Sequence, residues 1–312
     1  MKTYLSFLGT GAYVPCVYLK PDGTAGDSGV VTYVQTAMRK LVARDAEKTL
    51  VFCTKAAEKA HWQKLCAEFD AHGLSEPEKV AISDGSNMKE FWEIFETVNA
   101  HIPQNAHIVF DVTHSFRSLP LIMSVLLNYL EVVKGTKLSG CYYGAFEALG
   151  RAKDVEKNCP DPTDRRAPIF DLSQFFLLNE WVRAIRAFER FGDAGDLNEL
   201  AKQIIQPLLA KEETRTTEIV ELRKLTGALD DFTQQVRSNR CKDIQGFEFK
   251  TRILDRLDAA RACNVLPQLK PVLEKLEGVF AKYQDNDLKN GIHAAQWAFD
   301  HDLIPQGYTL LQ

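Results

Sequence analysis

Apolar positions along the chain come first in short runs separated by helical stretches, and then, past the midpoint, almost entirely at helical spacing. Tyr4–Leu8 predicts a strand that breaks at Gly9-Thr10-Gly11. Val30–Leu41 predicts a helix, Thr49–Thr54 an apolar strand ahead of Lys55, and Ala56–Ala71 a helix rich in Ala and Lys. Lys79–Ser83 predicts a strand ending in Asp84-Gly85-Ser86. Met88–Ile102 then carries Phe91, Trp92, Ile94, Phe95 and Val98 on an amphipathic helix of roughly four turns. His107–Val112, Leu119–Val133 and Leu138–Tyr143 follow as strand, helix and strand. Strands alternating with helices in this way predict an α/β domain built on a parallel sheet.

From Gly150 to Pro168, charges and three prolines replace any apolar period, which predicts a loop. Ile169–Leu172 is one last short strand, and Ser173 stands where a helix N-cap belongs, ahead of the stripe Phe175–Phe191. Segments Leu197–Ala210, Glu213–Val236, Gly246–Ala262, Leu269–Tyr283 and Leu288–His301 all carry helical spacing. The expected organisation is an α/β domain over residues 1–172 and an all-helical domain over 173–312. Pro305 opens a final helix whose apolar face is Tyr308, Leu310 and Leu311, and the chain stops at Gln312 without a Gly, Asn or basic cap. Two readings stay open there, a natural end and a truncation.

Composition narrows the function classes. Of the 312 residues 45% are apolar and 26% charged, enough for a large core and unlike a disordered chain. The net charge of −4 lacks the basic excess of a protein that coats duplex DNA, while leaving room for one basic pocket. The seven cysteines are scattered and form no C-x-x-C pair, so neither a zinc site nor a disulfide framework is expected, and scattered thiols fit a cytoplasmic protein. Leu119–Val133 is interrupted by Asn128 and falls short of a membrane span.

The richest local chemistry is Asp111-Val112-Thr113-His114-Ser115-Phe116-Arg117, between a predicted strand and the helix opening at Leu119. Ligands of open parallel sheets bind outside the carboxyl ends of the strands. This segment offers hydroxyls, an imidazole and a guanidinium there, with Ser118 capping a helix whose first amides favour an anion. Arg117 can grip a phosphate or stack under a base. Gly9-Thr10-Gly11 lets backbone approach a ligand closely, although Val14 stands where a dinucleotide fingerprint needs its third glycine. Thr54-Lys55 and Asp84-Gly85 add polar groups at two more strand ends, and Tyr142-Tyr143 adds aromatic faces. Each cluster alone has an ordinary explanation as a turn; all of them at strand carboxyl ends point to a ligand edge.

The segment Asp111–Arg117 resembles the D-x-[ST]-H-[GS]-F-R signature of the CARF–HEPN proteins of type III CRISPR systems. Phe7-Leu8-Gly9-Thr10-Gly11 with Tyr13, Asp84-Gly85 ahead of Phe91-Trp92-Glu93-Ile94-Phe95, Tyr142–Glu147, and Pro168–Leu172 resemble further blocks of that family, in its order, over about the first 190 residues. The resemblance implies a Rossmann-like CARF domain followed by a HEPN-like or partial HEPN domain. It implies a homodimer with one two-fold pocket for a cyclic oligoadenylate, tetra-adenylate before hexa-adenylate, and no other cofactor or metal. Ligand roles would fall on Gly9, Thr10, Gly11, Thr113, His114, Ser115, Phe116 and Arg117, and on Thr54, Lys55, Asp84, Gly85 and Tyr143 around them. Relatives act as messenger-activated ribonucleases on single-stranded RNA through an R-x(4–6)-H motif. This chain departs from that pattern: His293 has Lys289 four residues before it, not Arg, so Lys289 and His293 are a weak catalytic candidate and the motif lies beyond Gln312 or has been lost. The function expected is a messenger sensor that controls an effector. The alternative is a ring nuclease that cleaves the messenger itself; an ordinary nucleotide-binding Rossmann enzyme is disfavoured by the broken glycine fingerprint.

Overall fold

Strand β1 (Lys2–Leu8) is buried on both faces, with Tyr4, Ser6 and Leu8 alternating with Thr3, Leu5 and Phe7. A strand with no solvent face belongs inside a sheet covered by helices on both sides. The computed structural model describes residues 1–21, 26–114, 119–210, 212, 215–261 and 270–312. Around β1 are β2 (Cys16–Leu19), β3 (Asp27–Val31), β4 (Lys48–Cys53), β5 (Glu78–Ala81), β6 (His107–Asp111), β7 (Lys137–Gly144) and β8 (Arg166–Asp171). Among the described residues they form one sheet in the order β3-β2-β8-β7-β6-β1-β4-β5.

Strands β7, β6, β1, β4 and β5 run parallel, whereas β8 pairs antiparallel with β7 and carries β2 alongside it. The sheet is thus mostly, not wholly, parallel. Helices α1 (Val34–Leu41) and α2 (Lys55–Ala71) cover one face: Val34, Ala37 and Met38 pack with Tyr4, Val109 and Ile169, and Ala57, Leu65 and Phe69 with Leu8, Val51 and Cys53. Phe7 stands on the other face, its ring 5.3 Å from Phe52 and 6.2 Å from Phe110. Helices α3 (Met88–His101) and α4 (Leu119–Lys134) meet through Phe95 and Tyr129, whose rings are 5.3 Å apart.

The structure corrects several expectations. The helix predicted from Val30 begins at Val34, because Val30 and Val31 are in β3, paired with β2. The helix start is held by a distant residue: the Glu68 carboxylate accepts the amides of Thr32 (2.7 Å) and Tyr33 (3.0 Å). The predicted loop Gly150–Pro168 contains helix α5 (Ala152–Asn158), a 3₁₀ turn at Pro162–Asp164 and the start of β8. Buried Arg165 ties it down by donating to the carbonyls of Cys159 (2.7 Å), Pro160 (2.9 Å) and Pro15 (3.0 Å). Ser173 is the first residue of α6 (Ser173–Phe191), but its hydroxyl accepts the amide of Cys141 at 2.9 Å, and Asp171 takes the Ser173 amide at 2.8 Å.

The chain divides into two compact units, Met1–Gln174 and Phe175–Gln312. The second is helical: α7 (Gly195–Leu209), α8 (Thr217–Arg237), α9 (Cys241–Gln245), a π-helical turn at Lys250–Leu254, α10 (Asp255–Arg261), α11 (Lys270–Phe280), α12 (Lys289–Asp300) and α13 (Ile304–Leu310). The helix predicted over Gly246–Ala262 starts instead with the π-helical turn at Lys250–Leu254 and continues as α10. Phe232 of α8 is the hub of its core, with the rings of Phe280 at 5.3 Å, Phe249 and Tyr283 at 5.6 Å and Trp297 at 5.8 Å. Glu213, Ala262 and Leu269, at the ends of predicted helices, lie outside the described residues. Among the described residues no helix is long and apolar enough to cross a membrane.

Candidate functional site

From β1 the chain first runs to β2 and β3 at the far edge, returns to place β4 and β5 outward from β1, then crosses back to place β6 and β7 on the other side of β1. The strand order therefore reverses between β1 and β6, the point at which open α/β sheets form a ligand crevice beyond their carboxyl ends. Gly9 and His114 meet there. A Cβ added at Gly9 would stand 3.4 Å from Nδ1 of His114, so glycine lets the loop after β1 approach the imidazole.

Asp111, buried at the end of β6, wires this edge together. One carboxylate oxygen accepts the hydroxyls of Tyr4 (3.0 Å) and Ser6 (2.8 Å) from β1. The other accepts the amide (2.9 Å) and hydroxyl (2.5 Å) of Thr113. The Thr113 oxygen in turn accepts the Gly144 amide from β7 at 2.9 Å. A buried carboxylate is costly unless its lone pairs are used; here the pairing fixes the mutual positions of β1, β6 and β7. Gly144 is required by packing, since a Cβ there would lie 2.4 Å from Cγ2 of Val34.

Around His114 lies an aromatic cluster that sequence reasoning did not assemble. The Tyr13 ring centroid is 4.7 Å from each of Tyr33, His61 and His114, and the Gly9 amide donates to the Tyr13 hydroxyl at 2.8 Å. The Tyr33 hydroxyl stands 3.3 Å from Nδ1 of His61. Burial holds the His114 imidazole below its ordinary pKa; the Asp111 carboxylate opposes this and the neighbouring His61 adds to it. Burial likewise pushes the Tyr13 phenol up. Nothing in the spacing of His61, on α2, marked it; only the sheet order brings it here.

The other expected ligand residues lie on the loops and strand ends around this point. Thr10 and Gly11 are exposed beyond β1. Thr54 is buried and its hydroxyl caps α2 by accepting the Ala57 amide at 3.3 Å, while Lys55 is exposed. Asp84 and Gly85 follow β5, two strands from β1 and so roughly 10 Å away. Gly85 has φ +70 beside the Phe91 ring, a backbone reason for glycine. Tyr143 is half-buried and donates its hydroxyl to Glu147; its pKa is pushed up to about 12, by burial first and then by that carboxylate. Ser115, Phe116, Arg117 and the Ser118 cap lie outside the described residues.

In the helical unit Lys289 begins α12, its amide donating to Asp287 at 2.8 Å, and His293 follows one turn later. The His293 ring is 5.4 Å from that of Tyr283, and burial followed by Lys282 lowers its pKa. Among the described residues no cluster of His, Cys, Asp and Glu has the makings of a metal site.

No family model matches the chain. Over 237 residues, 74% of the chain, it is 29% identical to a CRISPR-associated protein of Methanocaldococcus jannaschii. The chain spans about a third (32%) of that protein's length. The likeness leaves the chemistry of the site to its own residues.

Proposed function

We propose that residues 1–174 bind a cyclic oligoadenylate at the crevice between β1 and β6, and that the helical unit relays occupancy to an effector in CRISPR defence. The observation that carries this reading is the meeting of Gly9 and His114 at the strand-order reversal, above the buried Asp111 network. The amides, hydroxyls and imidazole there suit phosphates and ribose, and Arg117 would add a charge-assisted grip. A near-symmetric ring suits a two-fold homodimer. Leu121, Val125, Tyr129 and Val132 form an exposed apolar stripe along α4, a surface of the kind a second copy covers.

The relay has a covalent and hydrogen-bonded route. Cys141 of β7, two residues before Tyr143, accepts the Leu172 amide at 2.8 Å and donates to Ser173 at 2.9 Å. A shift of the β7 end is thereby passed to the start of α6. Calorimetric titration with cyclic tetra- and hexa-adenylate tests the proposal. One ring per two chains is expected; one ring per chain, or no binding of either, overturns it.

A second reading, cleavage of the bound ring, is favoured by one observation: burial, with a smaller contribution from His61, holds the His114 imidazole at the crevice below its ordinary pKa. A neutral imidazole can accept the proton of a ribose 2′-hydroxyl as it attacks the adjacent phosphate; the P–O5′ bond breaks, leaving a 2′,3′-cyclic phosphate and a 5′-hydroxyl that takes up a proton, a reaction that needs mainly positioning and charge stabilisation. Turnover of labelled cyclic tetra-adenylate by the purified chain distinguishes the two.

A further inference from the structure

The Gly9 amide is the first backbone donor where β1 opens onto the crevice, and Tyr13 takes it. The loop doubles back within four residues so that the phenol oxygen accepts the Gly9 N–H at 2.8 Å. We propose that the Tyr13 hydroxyl stands in for a ligand oxygen, and that a phosphate takes the Gly9 amide only by displacing it. The inference rests on the crevice being the ligand site and adds how entry is controlled.

Three features support a displaceable stand-in over a simple loop tie. First, the position held by the phenol oxygen is one an anionic oxygen would prefer, because charge-assisted hydrogen bonds are roughly twice as strong as neutral ones. Second, burial raises the phenol pKa, so the hydroxyl stays neutral and remains the weaker acceptor. Third, the ring keeps some exposure, and what it packs on is aromatic and imidazole surface: Tyr33, His61 and His114, each 4.7 Å away. Such surface accepts either a phenol or a base. Displacement favours phosphate-bearing ligands, since a neutral acceptor gains little by replacing the hydroxyl. It also disturbs Tyr33, the residue from which α1 starts, and His61 on α2.

The test compares wild-type protein with Tyr13→Phe, which keeps the ring and removes the competing oxygen. Cyclic tetra-adenylate should bind the variant roughly 2- to 10-fold more tightly, the worth of one neutral hydrogen bond. Without ligand, the Gly9 amide should exchange faster in the variant. In wild-type protein the Tyr13 ring resonances should shift on saturation with the ring, a readout that needs no variant. Equal or weaker binding by Tyr13→Phe, or a Tyr13 ring unmoved by ligand, overturns the inference while wild-type binding leaves the parent proposal standing. Binding by neither protein removes both. Binding by the variant alone supports displacement.

Discussion

Two histidines mark two different ways of placing polar chemistry on this chain. His114 sits at the end of β6 beside a buried carboxylate whose partners, Tyr4 and Ser6, are more than a hundred residues away in sequence. His293 sits on α12 with two lysines nearby and one aromatic ring against it, outside any comparable polar network among the described residues. The helical unit invests instead in its aromatic hub around Phe232. Buried polar groups are kept only where partners satisfy them, so a costly, long-range network at a sheet edge is a stronger sign of a site than a titratable residue on a helix.

Breaking the network is the largest effect expected. Asp111→Ala leaves the Tyr4, Ser6 and Thr113 donors without their acceptor in a buried place. Stranded buried groups cost about 1–3 kcal/mol each, so the α/β unit should lose roughly 3 kcal/mol or more. Hydrogen exchange in β1 and β6 reads this directly, with the amides around Phe232 as the comparison. A loss confined to a few tenths of a kcal/mol would mean that Asp111 only closes a turn.

How much of this was legible in the sequence follows from which forces are local. The strand and helix periods of β1, β4, α2, α3 and β6 are set by neighbouring residues, and they predicted an α/β half followed by helices. The β2–β3 hairpin was missed because its strands are short and the end of β3 shares apolar residues with a helical pattern whose true start is fixed by Glu68, 36 residues from Thr32. The order in Gly150–Pro168 was missed because it depends on one buried guanidinium, Arg165, reaching back to Pro15. In the site, Gly9, Thr113 and His114 were visible as loop chemistry at strand ends. Tyr33 and His61 were not, since strand order alone decides which loops become neighbours. Ser173 was recognised as a helix start, but its hydroxyl bonds to β7 instead of capping.

A pH series sharpens the contrast at intermediate size. Burial lowers the folded pKa of His114 below its unfolded value, so protons bind more readily to the unfolded chain. The stability owed to neutral His114 is therefore complete above about pH 6.5, the ordinary histidine value, and drains as pH falls from there toward the depressed folded pKa. His114→Gln should remove that part of the slope between neutrality and pH 5 in urea midpoints. An unchanged slope would place the acid sensitivity elsewhere than at His114.

The smallest effect belongs to His293. Its pKa is also lowered by burial, yet the ring is only half-buried and the lysines at 282 and 289 act on it as like charges. Lys289 is a point charge on a flexible stem and lacks the planar fork with which an arginine grips a phosphate in two places. The pair should therefore give little stabilisation to the charge that builds on phosphorus when RNA is cut. Residues 1–312 should cleave labelled single-stranded RNA poorly with or without cyclic tetra-adenylate, and His293→Ala should alter stability by no more than about 0.5 kcal/mol, as surface changes usually do. Messenger-stimulated cleavage abolished by His293→Ala would reverse the comparison: the helix face, for all its sparse wiring, would then be the working site, and the network at β6 its switch.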